Sequence, residues 1–172
     1  MRRSRETRAM ARRTDFGREL LAGQWAAAEF AALSQLWQAG APVPYPVQLI
    51  GTELMMEFLG APDGTAAPRL AQCRPEPGEL ADLYEQCVTA MRALAAAGCA
   101  HGDLSPYNLL VHEGRLLLID LPQVVDVVAN PRGPEFLRRD CENVCAWFER
   151  RGLPDVDVEE LFGELMVEAL RG

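Results

Sequence analysis

The order of the elements that the sequence predicts indicates an α+β fold with two unequal lobes. A helix and a hairpin come first; a loop, a long helix, a second hairpin and two further helices follow. No strand–helix–strand unit occurs in this order, which argues against a parallel dinucleotide-binding sheet. A loop rich in proline, glycine and alanine, residues 60–77, separates a small first lobe (16–60) from a mostly helical second lobe (61–172).

The first lobe begins with a helical pattern over residues 19–40. Its alanine content favours a helix, and one apolar stripe contains Leu21, Trp25, Ala28, Ala32 and Leu36. The prolines of "APVPYP" then exclude both a helix and a central strand. The segments "VQLI" and "ELMMEF" follow on either side of a glycine–threonine turn, which predicts a β-hairpin.

The second lobe contains an amphipathic helix from Pro77 to Ala97, with Gly98 placed to end it. The segments "LLV" and "LLLID" predict two strands joined by the turn "HEGR". Helical patterns follow at 134–151 and 157–170. The loop "HGDLSPYN", residues 101–108, therefore lies between the long helix and the second hairpin.

Charge is distributed unevenly along the 172 residues, whose formal net charge is −8. All 17 basic residues are arginine, and six of them lie in the first 13 positions. The acidic remainder argues against nucleic-acid binding, except through the basic segment 1–15. No apolar run reaches the roughly 18 residues of a membrane span, and the basic start leads into no apolar stretch, so we expect no secretory signal. We expect no membrane partner and a cytoplasmic location, in which the five cysteines act as small apolar residues.

The loop before the second hairpin carries the chemistry of the sequence. Asp103 and Asn108 lie on it, and Asp120 follows the second strand. A tight hairpin brings its strand ends together, so Asn108 and Asp120 should be neighbours with Asp103 on the same rim. Two hard oxygen ligands suit Mg²⁺, and a further carboxylate can accept a hydroxyl proton. This division of work is that of protein kinases. The opposing interpretation is that the three are a turn cap, a turn former and a strand-end residue.

At these residues the chain resembles a known family. "HGDLSPYNLLVHEGRLLLIDLPQVV" is similar to the catalytic and metal-binding loops of RIO-type atypical serine/threonine protein kinases. "WAAAEFAALSQLWQAGAPVPYPVQLIGTELMMEFLG" resembles the αC helix, the Val-Pro-x-Pro link and the hinge of that family, and "PEFLRRDCENVCAWFERRGL" resembles its next helix. The resemblance covers about residues 16–153. It implies a single kinase-like domain over residues 1–172, with a partial N-lobe and a compact C-lobe.

The resemblance also implies roles for the polar residues. Asp103 would be the general base towards a serine or threonine hydroxyl of an unidentified protein substrate. Asn108 and Asp120 would hold Mg²⁺, and Asp120 could itself accept phosphate, so that the chain would hydrolyse ATP through an aspartyl phosphate. The cofactors implied are ATP and Mg²⁺.

The nucleotide-binding residues follow from the same resemblance. Met56 would be the gatekeeper of the hinge, and the backbone groups of Glu57 and Leu59 would bond the adenine. Leu110 and Ile119 would form the apolar floor beneath it. From the residues alone, an ordinary core strand is the preferred interpretation of "LMMEF", since a methionine pair serves more often in packing.

One part of the family's pattern is missing. Glu29 matches the αC glutamate, whose partner is a strand lysine, yet the chain contains no lysine and no Gly-rich loop. Arginine is a poor replacement, since its planar fork differs from a compact ammonium. We therefore expect an N-terminally truncated member with impaired activity. We also expect an exposed apolar patch around Trp25, Leu33, Met55 and Phe58.

Two other functions fit the same residues. A small-molecule phosphotransferase of the aminoglycoside- or choline-kinase type shares the H-G-D-x-x-x-x-N pattern followed by I-D. That group usually carries histidine at position 105 and tryptophan at 121, whereas this chain has Ser105 and Leu121. The third possibility is a non-catalytic pseudokinase or fragment that acts through binding alone.

Overall fold

The computed structural model describes residues 15–121 and 124–171, with side chains from residue 19 onward. Its helices and strands are α1 (Asp15–Gln38), β1 (Pro46–Ile50), β2 (Glu53–Met56), α2 (Pro77–Ala96), β3 (Cys99–Ala100), β4 (Leu109–His112), β5 (Arg115–Leu118), β6 (Val125–Asp126), α3 (Gly133–Arg150) and α4 (Val158–Ala169). A single 3₁₀ turn, Leu70–Gln72, lies in the loop between the lobes.

The predicted α+β order is confirmed, with three two-stranded antiparallel sheets in place of the two predicted hairpins. The additional sheet pairs β3 with β6, and two-residue strands are too short to show a period in the sequence. The first helix begins at Asp15 rather than at residue 19. The basic segment lies outside the described residues, except for its last residue. The lobe boundaries remain predictions.

The first lobe consists of α1 and the β1–β2 hairpin. Gly40 ends the helix with a φ of 80°, and the amide of Ala41 donates to the Leu36 carbonyl at 2.9 Å. This is the left-handed glycine termination that helices commonly use. The hairpin turns through Gly51 and Thr52 as predicted, with Ile50 opposite Glu53.

The buried face of α1 differs from the predicted stripe. Ala26, Leu33 and Leu36 are buried, whereas Trp25 is 70% exposed. The predicted patch is therefore correct for Trp25, Met55 and Phe58, all largely exposed, and wrong for Leu33, which is 2% exposed and belongs to the core. Alanines occur on most faces of this helix, so the periodicity of its apolar residues could not identify the buried face.

The core of the second lobe forms around α2. This helix contacts α4, β3 and β5, and α3 packs against α4 and β3. Gly98, with a φ of 73°, ends α2 as predicted. Among the described residues, no helix is long and apolar enough to cross a bilayer.

The five cysteines are all free, and we expect them to divide into two reactivity classes. Cys87, Cys141 and Cys145 are buried in the core, and burial raises the pKa of each thiol, that of Cys141 to about 12. Cys73 and Cys99 are only partly buried. A colorimetric thiol reagent at pH 8 should modify at most these two in the folded chain and all five in urea. Rapid reaction of more than two would contradict this packing.

Candidate functional site

The loop from His101 to Asn108 connects β3 to β4 and meets the end of β5. In the β4–β5 ladder Leu109 lies opposite Leu118, and the Ile119 amide donates to the Asn108 carbonyl at 3.0 Å. Asn108 and Asp120 are thus brought to the same end of the hairpin, as predicted. Asp120 is exposed and has a φ of 63°, a conformation that aspartate tolerates better than most residues do.

Hydrogen bonds within the loop hold Asn108. Its side-chain amide donates to the Asp103 carbonyl at 2.9 Å, and its backbone amide donates to the Ser105 carbonyl at 2.9 Å. The side chain is buried, at 8% exposure. Because Nδ2 donates a hydrogen bond within the loop, Oδ1 is the side-chain atom that Asn108 can offer as a metal ligand.

Asp103 is exposed at the rim of the same loop. An Arg139 guanidinium nitrogen lies 3.8 Å from its Oδ1, and the same nitrogen donates to the Gly102 carbonyl. Arg139 comes from α3, so the loop is braced by a helix more than thirty residues further along the chain. The Asp103 side chain is 63% exposed, so its carboxylate is accessible from solvent.

Asp140, on α3, anchors the loop through hydrogen bonds with its backbone. Its two carboxylate oxygens accept from the amides of Gly102 and Leu104, each at 2.8 Å. Asn143, one helical turn later, donates to the Leu104 carbonyl at 3.0 Å. Burial raises the pKa of Asp140, and the two amides together with the charges of His101 and Arg139 oppose that rise. These hydrogen bonds hold the loop backbone in place at Gly102 and Leu104.

Sequence reasoning did not identify Arg139, Asp140 or Asn143. Asp140 and Asn143 lie on the buried side of an amphipathic helix, between Leu137 and Val144. A charged residue among buried apolar positions is the one signal that could have indicated them, because such residues are almost never buried without partners.

His101 joins the loop to the strand that carries Asp120. The residue is 1% exposed, and its Nε2 lies 3.0 Å from the Ile119 carbonyl. Its Nδ1 is buried and has no hydrogen-bond partner among the described residues. Because a carbonyl oxygen can only accept, Nε2 is the donor in this hydrogen bond.

The predicted adenine floor lies on one face of the β4–β5 hairpin. Leu110 pairs with Leu117, and Ile119 follows two residues later, so these side chains point to the same side. The hinge residues follow β2. The Glu57 amide donates to the Tyr45 carbonyl at 2.8 Å, and the Leu59 carbonyl accepts from Ala67 at 2.9 Å. The complementary groups, Glu57 C=O and Leu59 N–H, are the pair that could bond a purine edge.

Two predicted residues lie at the edges of this area. Met56 ends β2, opposite Pro46, and packs half-buried against the core. Glu29 lies beside Asp120: its pKa is raised by burial and by the Asp120 carboxylate, and a hydrogen bond from the Leu121 amide opposes that rise. The expected lysine partner does not exist in this chain, and Glu29 instead contacts the backbone next to Asp120.

The donor set fits Mg²⁺ held by few protein ligands. Asp120 and Asn108 offer hard oxygen atoms at one end of the hairpin, and Mg²⁺ usually combines one or two such ligands with substrate phosphates and water. Over residues 15–121 and 124–171, no group of three or more histidine, cysteine or acidic side chains has metal-binding geometry. A cage made only of such side chains is therefore not present in this part of the chain.

Comparison with known proteins identifies the family of the chain. The family model described as the RIO domain matches residues 1–161. The RIO-type serine/threonine-protein kinase Rio1 of Haloferax volcanii is 44% identical over 138 residues, 80% of this chain and 46% of the relative. RIO1 of Caenorhabditis elegans is 40% identical over 85% of this chain and 28% of the relative, and human RIO3 is 39% identical over 80% and 27%.

Solved structures show the same fold. The Rio2 kinase–ADP/Mg²⁺–phosphoaspartate complex from Chaetomium thermophilum superposes with a TM-score of 0.71 at 21% identity, covering 100% of this chain and 56% of that one. Another Rio2 structure from the same organism gives 0.69, with 93% and 58% covered. The chain thus spans less than half the length of these curated relatives. The RIO match over most of its residues shows that the chain belongs to the RIO-type kinase family.

Proposed function

We propose that this chain is the catalytic portion of an ATP- and Mg²⁺-dependent phosphotransferase that acts on serine or threonine hydroxyls of a protein. The observation that carries the proposal is the shared rim of Asp103, Asn108 and Asp120, braced by Asp140 and Arg139 from α3. Bracing by a separate helix preorganises these groups before a substrate arrives, and such preorganisation is what phosphoryl transfer requires of a protein.

In the proposed reaction Asp103 acts on the acceptor. Its exposed carboxylate accepts the hydroxyl proton while the hydroxyl oxygen bonds to the γ-phosphorus and the bond to the β-phosphate oxygen breaks. Asn108 and Asp120 would hold Mg²⁺, whose charge neutralises the phosphate oxygens. ADP leaves with the bridging oxygen.

A second route uses Asp120 as the acceptor. Its carboxylate would take the phosphoryl group to give an aspartyl phosphate, which water then hydrolyses, so that the net reaction is ATP hydrolysis. The phosphoaspartate in the Chaetomium Rio2 complex supports this route. The exposure of Asp120 leaves its carboxylate open to such a reaction.

Adenine would lie on Leu110 and Ile119, against Glu57 C=O and Leu59 N–H. The sequence has no lysine that could bind the phosphates as the strand lysine of the family does. Removal of one electrostatic donor typically lowers a rate by about 10²–10³-fold, so we expect impaired turnover. We place the protein in the cytoplasm, where free cysteines are normal.

The small-molecule phosphotransferase remains an alternative because its site uses the same three residues, but the family match favours the RIO type. A non-catalytic protein that only binds nucleotide is the remaining alternative. Radiolabelled ATP separates the three: label on protein supports the proposed activity, label on an aminoglycoside or choline supports the second function, and nucleotide binding without transfer supports the third.

We expect Mg²⁺ to strengthen the binding of a fluorescent ADP analogue through Asp120. In Asp120→Asn the Mg²⁺-dependent gain should fall by about 10-fold or more, because a neutral amide binds the ion weakly, while binding in EDTA should be unchanged.

The matched control is Asp155→Asn. Both aspartates are exposed and have positive φ angles, 63° and 59°, so each substitution removes the same charge at the same cost to the backbone. Equal loss of the Mg²⁺ effect in the two variants would reject Asp120 as a ligand. Absence of any Mg²⁺ effect in the wild-type chain would reject the proposed metal site itself.

A further inference from the structure

A basic and aromatic surface, here called the α3 patch, lies beside Asp103. It consists of Arg132, Phe136 and Arg139. The guanidinium carbons of Arg132 and Arg139 lie 5.4 and 5.2 Å from the centre of the Phe136 ring. Cation–aromatic contacts of this length hold guanidinium groups in place while leaving their N–H donors accessible.

The two arginines keep most of their donor capacity. A guanidinium has five N–H donors. The Nε of Arg132 donates to the Glu135 carboxylate, in an ion pair whose side chains are 69% and 67% exposed. Such an exposed pair is weak and can exchange with another carboxylate. Arg139 uses one nitrogen on the loop, and its side chain remains 47% exposed.

The neighbouring Arg138 provides a contrast on the same helix. Both of its terminal nitrogens bond the Glu159 carboxylate, at 2.5 and 3.0 Å, above the ring of Phe162. This bidentate pair joins α3 to α4 and engages both terminal nitrogens of the guanidinium. Arg138 therefore stabilises the fold, whereas Arg139 of the α3 patch contacts the loop that carries Asp103.

We propose that the α3 patch binds an acidic side chain of the protein substrate, close to the hydroxyl that receives phosphate. This inference rests on the proposed function, because it uses Asp103 to locate the acceptor. A hydroxyl within hydrogen-bond reach of Asp103 lies within about 7 Å of Arg139, given the 3.8 Å between Arg139 and Asp103. An extended peptide advances about 3.3 Å per residue, so a glutamate one to three positions away reaches the patch.

The size of the patch favours a peptide over a nucleic acid. Nucleic-acid surfaces need a long row of cations because phosphates repeat along the strand. The patch offers two arginines on a chain with a net charge of −8. Two guanidinium groups packed against one aromatic ring are suited to an acidic side chain.

The experiment compares binding of two fluorescein-labelled serine peptides of equal length, one with glutamate and one with glutamine around the serine. Anisotropy is measured with ADP and Mg²⁺, so no phosphate transfer is needed. We expect the full chain to bind the glutamate peptide more tightly. Arg132→Gln should weaken that binding about five-fold and leave the glutamine peptide unaffected, while the control Arg138→Gln should bind both peptides as the wild type does.

The outcomes are distinct. Equal binding of both peptides, or equal weakening by Arg132→Gln and Arg138→Gln, would overturn the proposal. Binding of single-stranded RNA that exceeds peptide binding and that Arg132→Gln reduces would assign the patch to nucleic acid instead. If radiolabelled ATP yields no transfer but the peptides are still distinguished, the proposed activity fails and the acidic-peptide site stands.

Discussion

Asp103→Asn is expected to lower phosphate transfer to a protein hydroxyl by about 10²–10⁴-fold, the range that a positioned general base contributes. Asparagine has nearly the same shape and should keep the loop bonds made by the backbone of residue 103, including the one from Asn108 at 2.9 Å. What it loses is the ability to accept the proton. Binding of the fluorescent ADP analogue should therefore remain within about two-fold of the wild type.

The measurement is a single-turnover assay with radiolabelled ATP, with Asp155→Asn as the control for charge. If Asp103→Asn transfers phosphate at the wild-type rate, Asp103 is not the base. Label that is released by hydroxylamine and abolished by Asp120→Asn would then assign the reaction to the aspartyl phosphate route.

The proximity of the three candidate catalytic and metal-binding residues could be predicted because they are close together in the sequence. Asp103, Asn108 and Asp120 lie on one loop and one hairpin, and a hairpin of fixed register brings its ends together. The helices and the two hairpins likewise followed from periodicity and turn residues, whereas the short β3–β6 sheet did not.

Contacts between distant segments could not be predicted in this way. Arg139 and Asp140 reach the loop only because α3 packs against β3, and nothing within α3 specifies that neighbour. The same limit applies to α1. Its alanine-rich surface permits several buried faces, so the burial of Leu33 was decided by tertiary packing rather than by the pattern of the helix.

Asp140→Ala is expected to have the largest effect on stability, lowering the free energy of unfolding by about 2–5 kcal/mol. The substitution leaves the buried amides of Gly102 and Leu104 without acceptors, and each such group costs about 1–3 kcal/mol. Urea titration followed by tryptophan fluorescence measures the change. Asn143→Ala removes only one hydrogen bond, to the Leu104 carbonyl, and should cost about 1 kcal/mol.

The cost of Asp140→Ala should also depend on pH. Burial raises the pKa of Asp140 above its ordinary value of 3.8, so between 3.8 and the raised value the folded chain binds a proton that the unfolded chain has lost. The contribution of Asp140 to the free energy of unfolding therefore falls as pH rises through this window. The difference between wild type and Asp140→Ala should be larger at pH 4 than at pH 8. The opposite trend would show that the two amides, His101 and Arg139 together outweigh burial and keep the folded carboxylate ionised.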